Sequence, residues 1–181
     1  MPIEWDSLDE PPYSYWCYYL YANITAINHL RRARGLNTFW FKPHCGESGN
    51  PDHLGSAFLT AHGISQGIKL RASPVLQYLY YLKNIGIATA PLSNNKLFIE
   101  FSKNPFPKFM KRGLNVSLST DDPLIIHLTD EPFIEEISIA HQIWNLSQVD
   151  IVEVLTNGIL QSVFPMSKKR KWLGAQFLEE K

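Results

Sequence analysis

Four short runs limit what this chain can fold into: Thr38 to Lys42, Ile64 to Ile68, Ile85 to Ala90 and Leu114 to Ser119. Each is rich in apolar residues without strict alternation, the pattern of parallel strands covered on both faces. Helical patterns separate them. Tyr13 to about Arg34 is long, aromatic and closed by Gly35, which predicts a helix with a glycine C-cap. Pro51 to Ala61 reads as a helix with proline in its first turn. Ser73 and Pro74 supply an N-cap and an N1 proline for a helix through Leu82. Pro91-Leu-Ser-Asn-Asn95 ends the third strand, and Pro107 to Arg112 is a weaker helical segment. Glu131 to Asn145 and Ser147 to Gln161 complete the order. Strand–helix alternation of this kind predicts an α/β fold, either a (β/α) barrel or an open doubly wound sheet. A complete eightfold barrel takes about 250 residues. Four strands are half of one, so residues 1–181 read as a single partial domain behind a polar lead-in at 1–12.

Charge and cysteine usage exclude several classes of function. The 17 basic and 17 acidic residues balance, so no net field draws the chain to nucleic acid or to an anionic membrane. Lys168-Lys169-Arg170-Lys171 is the only basic run, and it reads as a solvated helix end. No apolar stretch approaches the roughly 18 residues that cross a bilayer. The two cysteines, Cys17 and Cys45, form no CxxC pair. They point to a reducing, cytoplasmic setting and exclude a cysteine zinc ribbon. No secretory leader pattern stands at Met1, and the Asn-x-Ser/Thr triplets carry no weight.

Chemistry concentrates where two of the apolar runs end. Ser119-Thr120-Asp121-Asp122, closed by Pro123, places adjacent carboxylates after a strand. Burying them is costly unless a cation or a hydrogen-bonding ligand receives each one. Lys42-Pro43-His44-Cys45-Gly46-Glu47 offers an imidazole and a carboxylate three residues later. A plainer account makes Asp121 and Asp122 the N-cap and first-turn acid of the next helix. His29, His53, His127 and His141 read as surface or packing residues. Tyr78, Tyr80 and Tyr81 read as core and helix-interface packing rather than as a stacking platform for nucleic acid.

These runs, taken in order with Pro12-Tyr-Ser-Tyr15, Ser73 to Tyr81, Pro91 to Asn95, Asn104-Pro105 and Asn115 to Pro123, resemble the C-terminal part of the AMP deaminases. That group belongs to the metal-dependent hydrolase superfamily. The resemblance implies the C-terminal half of a TIM-type (β/α)8 barrel, with about four parallel strands and flanking helices. It implies zinc-assisted hydrolysis of AMP to IMP and ammonia in purine nucleotide salvage. His44 and Asp121 match metal ligands. Glu47 matches the residue that protonates the purine ring. Asp122 matches a contact to the base, with Pro123, Leu124 and Ile125 on the same loop. The chain lacks the His-x-Glu and Pro-Cys-x-x-Cys signature of the cytidine deaminases.

Two departures from the resemblance shape the expectation. The family's His-x-His pair, and its phosphate and ribose contacts, lie before the matching region. Only two protein donors remain, where zinc takes three or four. Gln66, in Ser65-Gln66-Gly67, stands at the family's catalytic histidine, and a neutral amide accepts no proton near pH 7. His62 lies about 13 Å from that position along an extended strand and does not replace it. The chain is therefore expected to be inactive alone. Two alternatives stay open: a catalytically degenerate regulatory subunit that completes its barrel as a homo- or hetero-oligomer, or a truncated product without its own function.

Overall fold

The structure, a computed structural model, describes residues 11–174. It begins with α1 (Tyr13–Ala33), β1 (His44–Cys45), α2 (His53–Thr60), β2 (Gly63–Gln66), α3 (Pro74–Leu82) and β3 (Gly86–Thr89). Then come α4 (Pro91–Leu97), α5 (Phe106–Lys111), β4 (Val116–Leu118), α6 (Pro123–Ile126), α7 (Pro132–Trp144), α8 (Gln148–Gln161) and α9 (Met166–Leu173). All the strands are parallel, in the spatial order β1-β2-β3-β4. Sequential order with parallel pairing is the winding of a (β/α) barrel, and it places all four strand C-termini along one rim.

The register divides the sheet into two chemically different faces. His44 pairs with Ser65, Ser65 with Ala88, and Ala88 with Ser117, so these small or polar residues share one side. Ile64, Ile87 and Val116 line the other side and are buried. They join Leu54, Tyr80, Phe106 and Phe109 in one core. The Tyr80 hydroxyl, inside that core, donates to the Leu54 carbonyl at 2.9 Å. Helix α8 lies against the small-residue side. A Cβ on Gly158 would sit 3.7 Å from Ser117 Cβ, and one on Gly86 would meet the Gln161 side chain at 2.6 Å. Gly86 therefore makes room for Gln161. The Gln161 amide accepts from Ser117 Oγ at 2.8 Å and donates to Asn115.

Several elements follow directly from local signals. Ser73 caps α3 by accepting from the Leu76 N–H, with Pro74 at N1. Ser147 and Asp150 form a capping box on α8. Gly35, at φ 67°, follows the C-cap of α1.

Other elements differ from expectation. The first strand is not Thr38–Lys42 but His44–Cys45. Pro43 has no N–H to give the ladder, so regular pairing starts after it. Phe41 is instead held by His62, whose N–H reaches the Phe41 carbonyl at 2.9 Å. The second strand stops at Gln66 because Gln66 and Gly67 both turn left-handed, at φ 78° and 67°. Ile68–Ala72 continues as a 3-10 helix. Pro91–Leu97 is a helix rather than a loop after a strand. Lys169 is not solvated: it is buried, and its Nζ donates to the Leu160 and Ser162 carbonyls at the end of α8. That ammonium occupies the acceptor-rich end of the helix, where a cation is favoured. Among the described residues no helix is long and apolar enough to cross a membrane.

Phe109 is fully buried and Leu124 is 97% exposed. Phe109→Ala should lower the unfolding free energy by about 3–5 kcal/mol, and Leu124→Ala should change it by less than about 0.5 kcal/mol. Urea unfolding of both variants measures the contrast.

Candidate functional site

The site is assembled at the strand C-termini. Asp121 lies past β4, and its backbone turns left-handed at φ 51°. Asp and Asn are the non-glycine residues most often found there, which lets this position carry a carboxylate through a tight turn. The turn brings Asp121 Oδ2 to 3.8 Å from His44 Nε2. The first and last strands of the sheet thus meet at one pair of groups. Tyr13 fixes the His44 backbone by donating from its hydroxyl to the His44 carbonyl at 2.7 Å. The ring is largely open to solvent, whereas the Asp121 side chain is largely covered.

Gln66 lies inside this site and is buried. Its Nε2 donates to Asp121 Oδ2, and its Oε1 accepts from Asn94 Nδ2. Asn94 Oδ1 accepts from Asn104 Nδ2 at 3.3 Å, and Asn104 Oδ1 accepts from the Phe106 N–H at 3.0 Å. Three side-chain amides therefore run head to tail from a backbone N–H to a carboxylate. Such a chain polarises in one direction, and its last bond is assisted by the Asp121 charge. Ser119 Oγ reaches Asp121 Oδ1 at 3.2 Å.

Asp122 occupies the N-cap position of α6 but makes no capping bond. Its Oδ2 accepts from Ser93 Oγ at 3.3 Å instead. The plainer account of the acids as helix caps thus holds for backbone position and not for side-chain function. Pro123 opens α6, and Leu124 and Ile125 on that helix are exposed. Glu47 is half-buried and lines a groove of about 380 Å³ with Lys69, Arg71, Phe98, Glu100 and Lys103. Burial raises its carboxyl above the usual range; Asp121 and Asp122 raise it further, and His44 opposes them.

His44, Gln66 and Asp121 are brought together, and Asp122 and Glu47 stand within their electrostatic reach. His62 precedes β2, at the end opposite Gln66, and stacks on Trp40. Cys45 is buried, and burial pushes its thiol up to about 11, so it is no nucleophile at neutral pH. Ser93 and Asn94 belong to the Pro91–Asn95 run that carries the resemblance, but the sequence assigns them no site role, because polar residues on a short helix leave no apolar period. Their proximity to Pro91 at N1 was the available signal. His127 is not a surface or simple packing residue: it is buried against Glu136 at 2.8 Å.

A metal would find two suitable donors here. Donors about 2.0–2.1 Å from zinc stand roughly 3.3 Å apart at the tetrahedral angle and about 4.1 Å apart when opposed. The 3.8 Å gap between His44 Nε2 and Asp121 Oδ2 lies between these limits. Among the described residues no group of three or more His, Cys, Asp and Glu side chains could hold a metal ion. The pair fits as part of a site whose remaining donors lie elsewhere.

The raised Glu47 carboxyl yields a stability test. Its folded form binds the proton more tightly than the unfolded chain, so its contribution favours folding at low pH and is lost as pH rises through the folded value. Glu47→Gln should raise the melting temperature above the ordinary carboxyl range and make no difference below it. Melting curves from acid to neutral pH check this; a variant less stable at neutral pH contradicts it.

Known proteins match this chain in sequence and in fold. The AMP deaminase family profile matches residues 1–181. The chain is 56% identical over 177 residues to an AMP deaminase of Dictyostelium discoideum, covering 98% of the chain and 22% of that protein. It is 56% identical over 179 residues to AMP deaminase 3 of Homo sapiens, covering 99% of the chain and 23% of that protein. The chain thus spans less than a quarter of the length of these curated relatives. Among solved structures, an adenine deaminase from Arthrobacter aurescens superposes with a TM-score of 0.71 at 20% identity, over 92% of this chain and 51% of that one. An amidohydrolase from Burkhoderia ambifaria with bound Zn gives 0.71 at 20% identity, over 97% and 46%. The family profile over residues 1–181 and the 56% identity to curated members lead to one assignment: this chain belongs to the AMP deaminase family.

Proposed function

We propose that the chain supplies the later half of a centre that hydrolyses AMP to IMP and ammonia. The observation that carries this reading is the meeting of His44 and Asp121 beside a carboxyl of raised proton affinity, Glu47. His44 and Asp121 would hold a zinc ion, together with donors from another part of a longer chain or from a partner that completes the barrel. Bound there, zinc supplies an activated water at neutral pH.

The chain's own residues do the rest. Glu47 keeps a proton to higher pH than an ordinary carboxyl, which suits it to protonate a purine ring nitrogen. Asp122 is anchored through Oδ2 by Ser93, which leaves Oδ1 for a donor on the base. Pro123, Leu124 and Ile125 supply an apolar edge to the same loop. Gln66 orients Asp121 but takes no proton, since an amide is not a base at neutral pH. The missing general base slows turnover by about 10²–10⁴, or about 3–5 kcal/mol of barrier.

One observation favours a second reading. Gln66 is engaged at both ends of its amide, by Asp121 and Asn94, as in a settled polar core rather than a damaged active site. On that reading the chain is a catalytically degenerate subunit that binds purine nucleotide and completes its barrel with another chain. Both readings place it in the cytoplasm, where Cys17 and Cys45 stay reduced.

IMP release from AMP in the presence of zinc tests the assignment. The wild-type chain should release little, and Gln66→His in the same assembled preparation should release about 10²–10⁴-fold more. Equal rates contradict the catalytic reading, and equal rates with nucleotide binding are what the degenerate subunit predicts.

A further inference from the structure

The strongest unassigned group is a carboxylate that the proposed chemistry does not use, within electrostatic reach of Asp121. Glu136, on α7, is fully buried. Its Oε1 accepts from the Leu92 N–H at 2.8 Å, and its Oε2 faces His127 Nε2 at 2.8 Å. Leu92 lies in the first turn of α4, and His127 is the C-cap of α6. One side chain therefore grips the start of one short helix and the end of another.

Those two helices carry the polar machinery of the site. Helix α4 presents Ser93 to Asp122 and Asn94 to Gln66. Helix α6 begins immediately after Asp122. Burying an uncompensated carboxylate is costly, and burial raises the proton affinity of Glu136. A carboxylate remains here because its two partners define one geometry.

We propose that Glu136 is the positioning residue of the site. Its carboxylate locks α4 against α6, so that Ser93 and Asn94 hold Asp122 and Gln66 in register. The inference deepens the deaminase reading and rests on it only in treating these residues as a metal and substrate platform. The clamp itself does not depend on either ligand.

His127 makes the clamp specific for a carboxylate. Its Nδ1 is buried and has no hydrogen-bond partner. With an ionised Glu136, the ring donates from Nε2 and leaves only a lone pair unmatched. A glutamine at 136 that kept its oxygen on Leu92 would turn its NH2 toward the ring. The ring would then have to accept at Nε2 and carry its proton on Nδ1, where no acceptor waits. Turning the amide over would oppose its NH2 to the Leu92 N–H. Neither orientation satisfies all three groups.

The test is a pair of 15N–1H spectra of the full chain, wild type and Glu136→Gln. The Leu92 backbone amide and the Gln66 and Asn94 side-chain amides should all move by more than a linewidth. The Gln161 side-chain amide, held by Asn115 under α8, should stay in place. A merely structural role would move all of these or none beyond Leu92, and displacement of Leu92 alone overturns the proposal. If Glu136→Gln does not fold, His127→Gln decides. Displaced Asp122 backbone and Gln66 side-chain signals support the clamp, and unchanged ones overturn it. Failure of the assembled preparation, with the barrel completed, to bind zinc or AMP while the amide displacements persist counts against the deaminase reading and leaves the clamp standing.

Discussion

Parallel pairing in sequential order is the constraint on which everything else rests. It sends every strand in one direction, so whatever follows each strand gathers at one rim. His44, Gln66 and Asp121 are separated by long stretches of chain, yet the register makes them neighbours. Two left-handed residues, Gln66 and Asp121, complete the approach by turning the chain at its strand ends. Backbone strain of this kind persists only where the surroundings hold it. Here the surroundings are the amide chain, Ser119 and the imidazole of His44.

Charge at the rim is managed by hydrogen bonds rather than by cations of the chain itself. Asp121 receives the end of a polarised amide chain, and Asp122 receives a serine hydroxyl. Burial first, and then both acids, make Glu47 hold its proton more tightly, against the pull of His44. The opposite end of the sheet works differently: Lys42 and Lys169 donate to carbonyls at the end of α8. Burial lowers the proton affinity of both ammonium groups. The polar contacts there complete the packing, whereas those at the rim arrange groups for chemistry.

What the sequence made legible was local. His44 to Glu47 and Asp121 to Pro123 are contiguous, and both runs end short apolar segments, so their shared direction could be inferred. Caps at Ser73 and Ser147 carry their own signature. The first strand starts six residues later than expected because aromatic, β-branched Thr38–Lys42 reads as a strand while Pro43 decides where pairing begins. Helix α4 escaped notice because it turns Ser93 and Asn94 inward, and an apolar period cannot report a helix with a polar buried face. Glu136 looks in sequence like half of a solvated acidic pair with Glu135. Only its tertiary partners, Leu92 and His127, show that it is buried and engaged. Lys169 was hidden in a basic run for the same reason.

Zinc titration of the 15N-labelled chain, in the assembled preparation whose other part supplies the remaining donors, is the most direct test of the convergence of first and last strands on a common cation. The His44 Nε2 resonance and the Gln66 side-chain amide, which reports on Asp121, should respond together over one range of zinc concentration. His53 and His62, on other elements, should not follow them. No response at His44, or a response at His44 with Gln66 unmoved, would contradict the account.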